Sequence, residues 1–399
     1  MLRWLASATA VLVCVLALRI AAQPPAPGKS ASGQQIFRFD TFGDEQLWTT
    51  ALKMPEALAT VSPKTALSVG LKVDVEALPP AVVEALKAGK VDLNDPAVTL
   101  QLLSANAVVG VVGRVTSGKI DSVGVTCALC HSTVDNSLTA GVGKRLDGWP
   151  NRDLNVGAII ALSPVLNEEQ RAVFKSWGPG KYDPRLQAFD GAKLRPLNKT
   201  SLPVVIPPAY GLRDVGFETV TADGPVSYWN NYVAVTQMGG HGSFNDPRIN
   251  LTIEQTPDMV AAKLPALRDY QLGLAAPAPP KGSFDAEAAK RGQALFAGAA
   301  RCGTCHVPPT FTDVAKAGKA STPILHDPSE TGMKAAYAAR SATKKYRAAP
   351  LRGVWQHPPY FHDGRAADLA AVVDHYNTAL KLGLTATQKA DLVQYLKSL

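Results

Sequence analysis

Cys127-Ala128-Leu129-Cys130-His131 and Cys302-Gly303-Thr304-Cys305-His306 are where this chain sets reactive side chains at a fixed, repeated spacing. Two thiols with two residues between them and a histidine immediately after is the pattern of covalent c-type haem attachment. The thiols add to the two vinyl groups along one porphyrin edge, and the histidine turns back beneath the ring to bind iron. Other chemistries fit the spacing less well. A four-thiolate zinc site would use both pairs but gives no reason for a histidine in the same place twice. Thioredoxin-like redox pairs want a strand-to-helix context that neither site has. Structural disulfides closed within such short loops are strained. The reading is therefore two covalently bound haems c, on Cys127, Cys130, Cys302 and Cys305, with His131 and His306 as proximal iron ligands.

The rest of the chain must hold two porphyrins and control the far face of each iron. The other histidines are 241, 326, 357, 362 and 375. His241 sits in the flexible Gln237-Met238-Gly239-Gly240-His241-Gly242 loop, which can bring Gln237, Met238 or His241 over the first haem. His362, in the Phe361-His362-Asp363-Gly364 turn, is expected near the second, and Met333 in Thr331-Gly332-Met333 offers a thioether there. The choice sets the chemistry. A methionine sixth ligand raises the haem potential, bis-histidine ligation lowers it, and tyrosine favours the ferric state.

Composition limits the partners. The 399 residues include 32 Gly and 30 Pro, with 46% hydrophobic and 19% charged, which describes a folded, loop-rich protein. A formal charge of +8 comes from 41 Lys and Arg against 33 Asp and Glu. It is spread along the chain without a basic, aromatic-interleaved run, so no nucleic-acid partner is expected. It suits a small acidic redox protein as electron donor or acceptor. Residues 1–22 read as an export signal. Arg3 precedes the uncharged stretch Trp4 to Leu18, which holds Cys14, and Ala21 and Ala22 stand before the cut. That stretch is short for a spanning helix. A periplasmic or otherwise exported protein without stable membrane insertion is expected, with an uncleaved anchor as the alternative.

The expected fold is mainly α: two cytochrome c-like haem domains, with a loop-rich insertion in the first. Residues 23–280 would form the N-terminal domain with its long insertion at 151–280, and 281–399 the C-terminal one. The Leu274 to Lys281 stretch (LAAPAPPK) is the linker candidate. Asp285 can cap a helix running through Ala297, with Ala288, Ala289, Gly292, Leu295 and Phe296 on one face. Thr385 and Gln388 make a capping box for a terminal helix whose stripe is Leu392, Val393, Leu396 and Leu399. Gly292 permits close crossing of the two. Ala107 to Val115 reads as a buried strand.

The segment Leu351 to Tyr376 (LRGVWQHPPYFHDGRAADLAAVVDHY) resembles the bacterial dihaem cytochrome c peroxidases and the related enzymes that mature methylamine dehydrogenase. The similarity extends over about 285–399. It is patchier at 125–155, where Gly148-Trp149 and Arg152-Asp153-Leu154-Asn155 match weakly, and at 225–245, through Tyr228-Trp229. In that family the first haem reacts with peroxide and the second feeds it electrons. The resemblance implies Trp229 as the bridging aromatic and Tyr376 as sixth ligand of the second haem. Asp147 stands where peroxidases carry a switchable distal histidine, a departure that leaves the first haem open or ligated from elsewhere. The resemblance also implies a calcium ion held by Asn155 and the carbonyls of His357 and Pro359, with Asn198 competing for the first place.

Three readings follow. One is a peroxidase-like oxidoreductase taking peroxide or another small oxidant, with Gln237, His241 or Asp147 assisting O–O cleavage. The second is a pure electron carrier, and the third a dihaem oxygenase whose 151–280 region shapes a pocket for an organic substrate.

Overall fold

The computed structural model describes residues 32–197, 200–314 and 322–399. The expected export signal at 1–22, Cys14 and Asn198 lie outside the described residues. Among the described residues no helix is long and apolar enough to cross a membrane.

Helices and long connections dominate, and the strands pair only two by two. Helix α1 (Gly33–Phe39) starts at Ser32, whose side chain accepts from the Gln35 N–H, and buries Ile36 and Phe37. Strands β1 (Val111–Thr116) and β2 (Lys119–Val125) form a hairpin that delivers the chain to the first motif. The expected strand at 107–115 begins later because Gly110 turns the backbone at a φ of +75°. A Cβ there would fall 2.0 Å from the Leu129 nitrogen, so only glycine lets the hairpin press against the motif. The motif forms one helical turn, α2 (Ala128–His131), so the first site does stand at a strand-to-helix junction, contrary to the sequence expectation. The chain leaves through β3 (Ser132–Val134), which pairs antiparallel with β4 (Arg145–Asp147).

The stretch 151–280 is more ordered than its composition implies. It holds α3 (Val156–Ile160), α4 (Glu168–Lys175), α5 (Val226–Val233), and α6 (Leu264–Gly273). It also supplies Phe174, Trp177, Phe189 and Tyr232, four of the largest fully buried side chains. These apolar residues are scattered between turns rather than periodic, which is why the pattern reads as loop. One apolar cluster gathers residues from Ile36 to Leu267, and another those from Phe296 to Leu396. Between them, Leu274 to Lys281 is extended but fastened: the Leu274 carbonyl accepts from Gly211, and the Pro277 carbonyl from Trp355 Nε1.

The carboxyl-terminal third follows its local signals. Helix α7 (Ala286–Ala297) is capped by Asp285, as its sequence implies. Helix α8 (Leu369–Ala379) starts at Asp368. Helix α9 (Ala386–Lys397) carries the Thr385–Gln388 capping box. Helix α7 crosses α9 so closely that a Cβ on Gly292 would stand 2.1 Å from the Asp391 carbonyl oxygen. Phe296 meets Tyr395 edge-on at 5.2 Å inside the crossing.

Candidate haem-binding site

At the first motif His131 Nδ1 lies 3.1 Å from the carbonyl oxygen of Pro207. A carbonyl only accepts, so Nδ1 carries the proton and Nε2 keeps its lone pair. Burial pulls the imidazole down to about 4, so it is neutral and fit to bind metal. Burial pushes the Cys127 and Cys130 thiols up to about 12. They are protonated and lack the depressed pKa of redox thiolates.

The second motif repeats the arrangement. His306 Nδ1 lies 3.0 Å from the carbonyl of Phe311, and burial lowers its pKa. Cys302 is pushed up to about 11, also by burial. All four thiols are free, and the two pairs do not converge into one ligand cluster among the described residues. That geometry argues against a four-thiolate zinc centre. The group that does converge there, Cys305, Asp313 and His326, brings in a sulfur that haem attachment would occupy.

A porphyrin also needs partners for its carboxylates. Arg152 is enclosed beside Tyr210, Tyr360 and His357, and burial pulls its guanidinium down to about 10. Only its Nη2 is bonded, to the His357 carbonyl at 2.9 Å, while Nε and Nη1 are buried without a partner. Orphaned cationic donors of this kind fit a carboxylate. With Asn151 N–H bonded to the Cys130 carbonyl one residue earlier, Arg152 stands close to the first motif. The neutral histidines, attachment thiols and unpaired guanidinium together fit haem c.

The other residues singled out by sequence fall into distinct places. Asp147 is buried and fully engaged: it accepts from Arg38 Nε and Tyr270 Oη, each at 2.5 Å, and from Ser132 Oγ at 2.8 Å. Trp229, on α5, stacks on Tyr232 at 5.1 Å, and the Arg185 guanidinium covers it at 5.1 Å. After α5 the chain makes a π-helical turn, Ala234–Met238. Gln237 donates to the Pro184 carbonyl at 2.9 Å, and its Oε1 is buried without a partner. Tyr182, which senses the Cys130 sulfur, donates to the Gln237 carbonyl at 3.4 Å and so ties this turn to the first motif. Met238 is buried in the first core, and its carbonyl accepts from Trp48. The His241 backbone pairs with Phe42 and Met259.

At the second motif, burial raises the Tyr376 phenol to about 12, with Cys302 and Cys305 adding to the effect. Phe361 packs edge-on against Tyr376 at 5.9 Å. Met333 Sδ is in contact with Arg365 Nη2 at 3.1 Å. The His362 ring lies between Tyr337 and Tyr346.

The residues named for calcium do not fit that ion. Asn155 Oδ1 caps α3 by accepting from Ala158 at 3.0 Å. The His357 carbonyl accepts from the Arg152 guanidinium, a positive charge that would repel a calcium ion at the same oxygen.

Tyr182, Arg185, Tyr337 and Tyr346 carry no local signal, whereas Pro207-Pro208 marks itself as a rigid turn and Arg152 opens the Arg152–Asn155 stretch that carries part of the resemblance.

No family model matches the sequence. Over 95 residues the chain is 39% identical to the methylamine utilization protein MauG of Methylorubrum extorquens. The match covers 22% of this chain and 24% of that protein, so the chain spans about a quarter of its relative's length. It is similar there to a MauG. Among solved structures it aligns with a MauG-like protein associated with microbial copper homeostasis at a TM-score of 0.28. That alignment has 25% identity and covers 37% of this chain and 61% of the other. Hydrazine synthase of Kuenenia stuttgartiensis aligns at 0.32, with 19% identity, over 54% and 86% of the two chains.

Proposed function

We propose that this protein is an exported dihaem c-type oxidoreductase of peroxidase-like character. It would take electrons from a small redox protein and deliver them to peroxide or a similar small oxidant. The observation carrying this reading is the matched pair of motif histidines, each neutral with Nδ1 on a backbone carbonyl. The partial likeness to MauG points the same way.

Bound at the two motifs, the haems would supply one-electron storage and an iron face for the oxidant. The chain's own residues do the rest. Cys127, Cys130, Cys302 and Cys305 fix each ring by its edge, and the carbonyls of Pro207 and Phe311 set the angle of each imidazole. Arg152 would hold a carboxylate, and Tyr376, beside Cys302 and Cys305, would ligate the second iron. Near the first motif, the unpaired Gln237 Oε1 can accept a proton-bearing group of the oxidant. Asp147 acts through position, because Arg38, Tyr270 and Ser132 already occupy its oxygens. Trp229, stacked on Tyr232 and covered by Arg185, would serve as the bridging aromatic.

The test is a mass measurement followed by a peroxide titration of the full chain expressed with the haem-attachment machinery. Two added haem masses, and one iron whose optical and EPR spectra change with peroxide, are expected. Absence of added mass removes the reading. Two six-coordinate, low-spin irons indifferent to peroxide would leave only an electron carrier.

A further inference from the structure

His362 is clasped by two tyrosines. The Tyr346 ring lies 5.0 Å from the imidazole at an interplanar angle of 23°, and Tyr337 stacks at 5.7 Å and 26°. Both tyrosines are almost fully buried. The Tyr346 hydroxyl donates to the Lys334 carbonyl at 2.8 Å and stands 3.3 Å from His362 Nε2, so a small rotation moves its proton from one acceptor to the other.

The position of this stack connects two regions. Tyr346 pairs with His326 through two backbone hydrogen bonds, of 2.7 and 3.0 Å. His326 in turn groups with Cys305 and Asp313, with ligand atoms within 4.8 Å of one another. One backbone rung thus separates Tyr346 from a residue against the second motif's sulfur. On the other side, Arg185 acts on the Tyr337 phenol. The same guanidinium covers Trp229 at 5.1 Å and Tyr232 at 5.7 Å. A row of rings, bridged at one point by the Arg185 guanidinium, therefore runs from beside Cys305 to Trp229.

We propose that Tyr346 is a redox-active residue, oxidised by one electron with its phenolic proton passed to His362, and that it relays charge between the second motif and Trp229. This rests on the dihaem reading for its physiological oxidant. The Tyr346 O–H bond breaks, the proton joins the Nε2 lone pair to give an imidazolium, and the electron leaves along the row. Hydrogen peroxide is the final acceptor, taking two electrons from the redox partner protein and two protons from solvent to give two waters. Each electron passes through Tyr346, which is re-reduced from the side of the second motif as the imidazolium returns its proton. The surroundings favour this course. Burial pulls His362 down to about 4, so the ring is a neutral acceptor at ordinary pH. Burial also pushes the Tyr346 phenol up to about 12. The proton must then leave with the electron, because it does not leave before.

The experiment treats the haem-loaded full chain, carrying ring-deuterated tyrosine, with hydrogen peroxide and freezes it for EPR. A tyrosyl signal narrowed by the deuterium is expected. It should be lost in Tyr346→Phe, which keeps the ring and whose haem content and melting are checked against the parent. His362→Gln should slow its formation by about a hundredfold, the scale of losing a placed proton acceptor. A signal unchanged in Tyr346→Phe, or a haem oxidised by peroxide with no tyrosyl signal, overturns the proposal. If peroxide leaves the haem spectra untouched, the peroxidase reading fails. A flash-generated ruthenium(III) trisbipyridine oxidant then decides the tyrosine question on the same protein: a Tyr346-dependent signal supports the proposal, and its absence overturns it.

Discussion

The Nδ1 of His131 stands 3.1 Å from the carbonyl oxygen of Pro207, a residue 76 positions further along the chain. His306 makes the same contact with Phe311 only five positions on, at 3.0 Å. One bond is local and the other brings in the 151–280 stretch, yet both leave Nε2 bare on a neutral ring. Chains of unrelated local shape have been bent to one electronic result.

Tyr376→Phe tests the second site. Loss of the phenol should change the EPR signature of one iron, leave the other as it was, and raise the potential of the altered haem, since tyrosinate favours the ferric state. Spectra identical to the parent would remove Tyr376 as a ligand.

The helix crossing gives a stability test with its own control. Gly292→Ala places a methyl 2.1 Å from the Asp391 carbonyl oxygen. Overpacking of this kind costs about 1–3 kcal/mol. At Gly273, also helical, an added Cβ meets nothing within 4 Å, so Gly273→Ala should be neutral or mildly stabilising. Thermal melting of the two variants should separate them, and equal shifts would contradict the packing described.

These examples show what the sequence makes legible. The α7–α9 pair is readable because caps, periodic apolar positions and a small residue at the contact are all local signals. The motifs are readable because each sets two cysteines and a histidine within five consecutive residues. Asp147 is not readable: as a sequence position it is an available carboxylate, but its partners Arg38 and Tyr270 lie 109 and 123 residues away. The Tyr337–His362–Tyr346 stack is hidden for the same reason, since no periodicity relates its members. The Phe361-His362-Asp363-Gly364 turn marks His362 as a candidate in the sequence, but not the two tyrosines its ring stacks on.

Two half-buried histidines outside the motif pair give a pH dependence. His357 and His362 are both pulled from the usual 6.5 to about 4, by burial first. Between those values the unfolded chain takes up a proton at each ring and the folded chain does not. Stability from these groups is therefore complete above about pH 6.5, falls as the pH drops toward 4, and changes no further below it. Melting temperatures measured across that window should decline, and His357→Gln and His362→Gln should each flatten the decline. A slope equal in parent and variants would show that other groups carry it.

Arg152 gives a test with opposite signs in two states. Without a bound carboxylate, its guanidinium is enclosed with Nε and Nη1 unpaired, and an uncompensated buried cation is destabilising. Arg152→Met keeps most of the side-chain volume and removes that charge, at the loss of one bond to the His357 carbonyl. In the haem-free chain the variant should melt at the same temperature or higher. In the haem-loaded chain the same change removes a charge-assisted hydrogen bond to a porphyrin carboxylate, worth about 1.5–3 kcal/mol, so the variant should melt lower. It should also lower the potential of one haem, because a positive charge near the ring favours the reduced state. Destabilisation by the same amount with and without haem would mean that Arg152 serves only the protein fold, and the orphaned donors would need another partner.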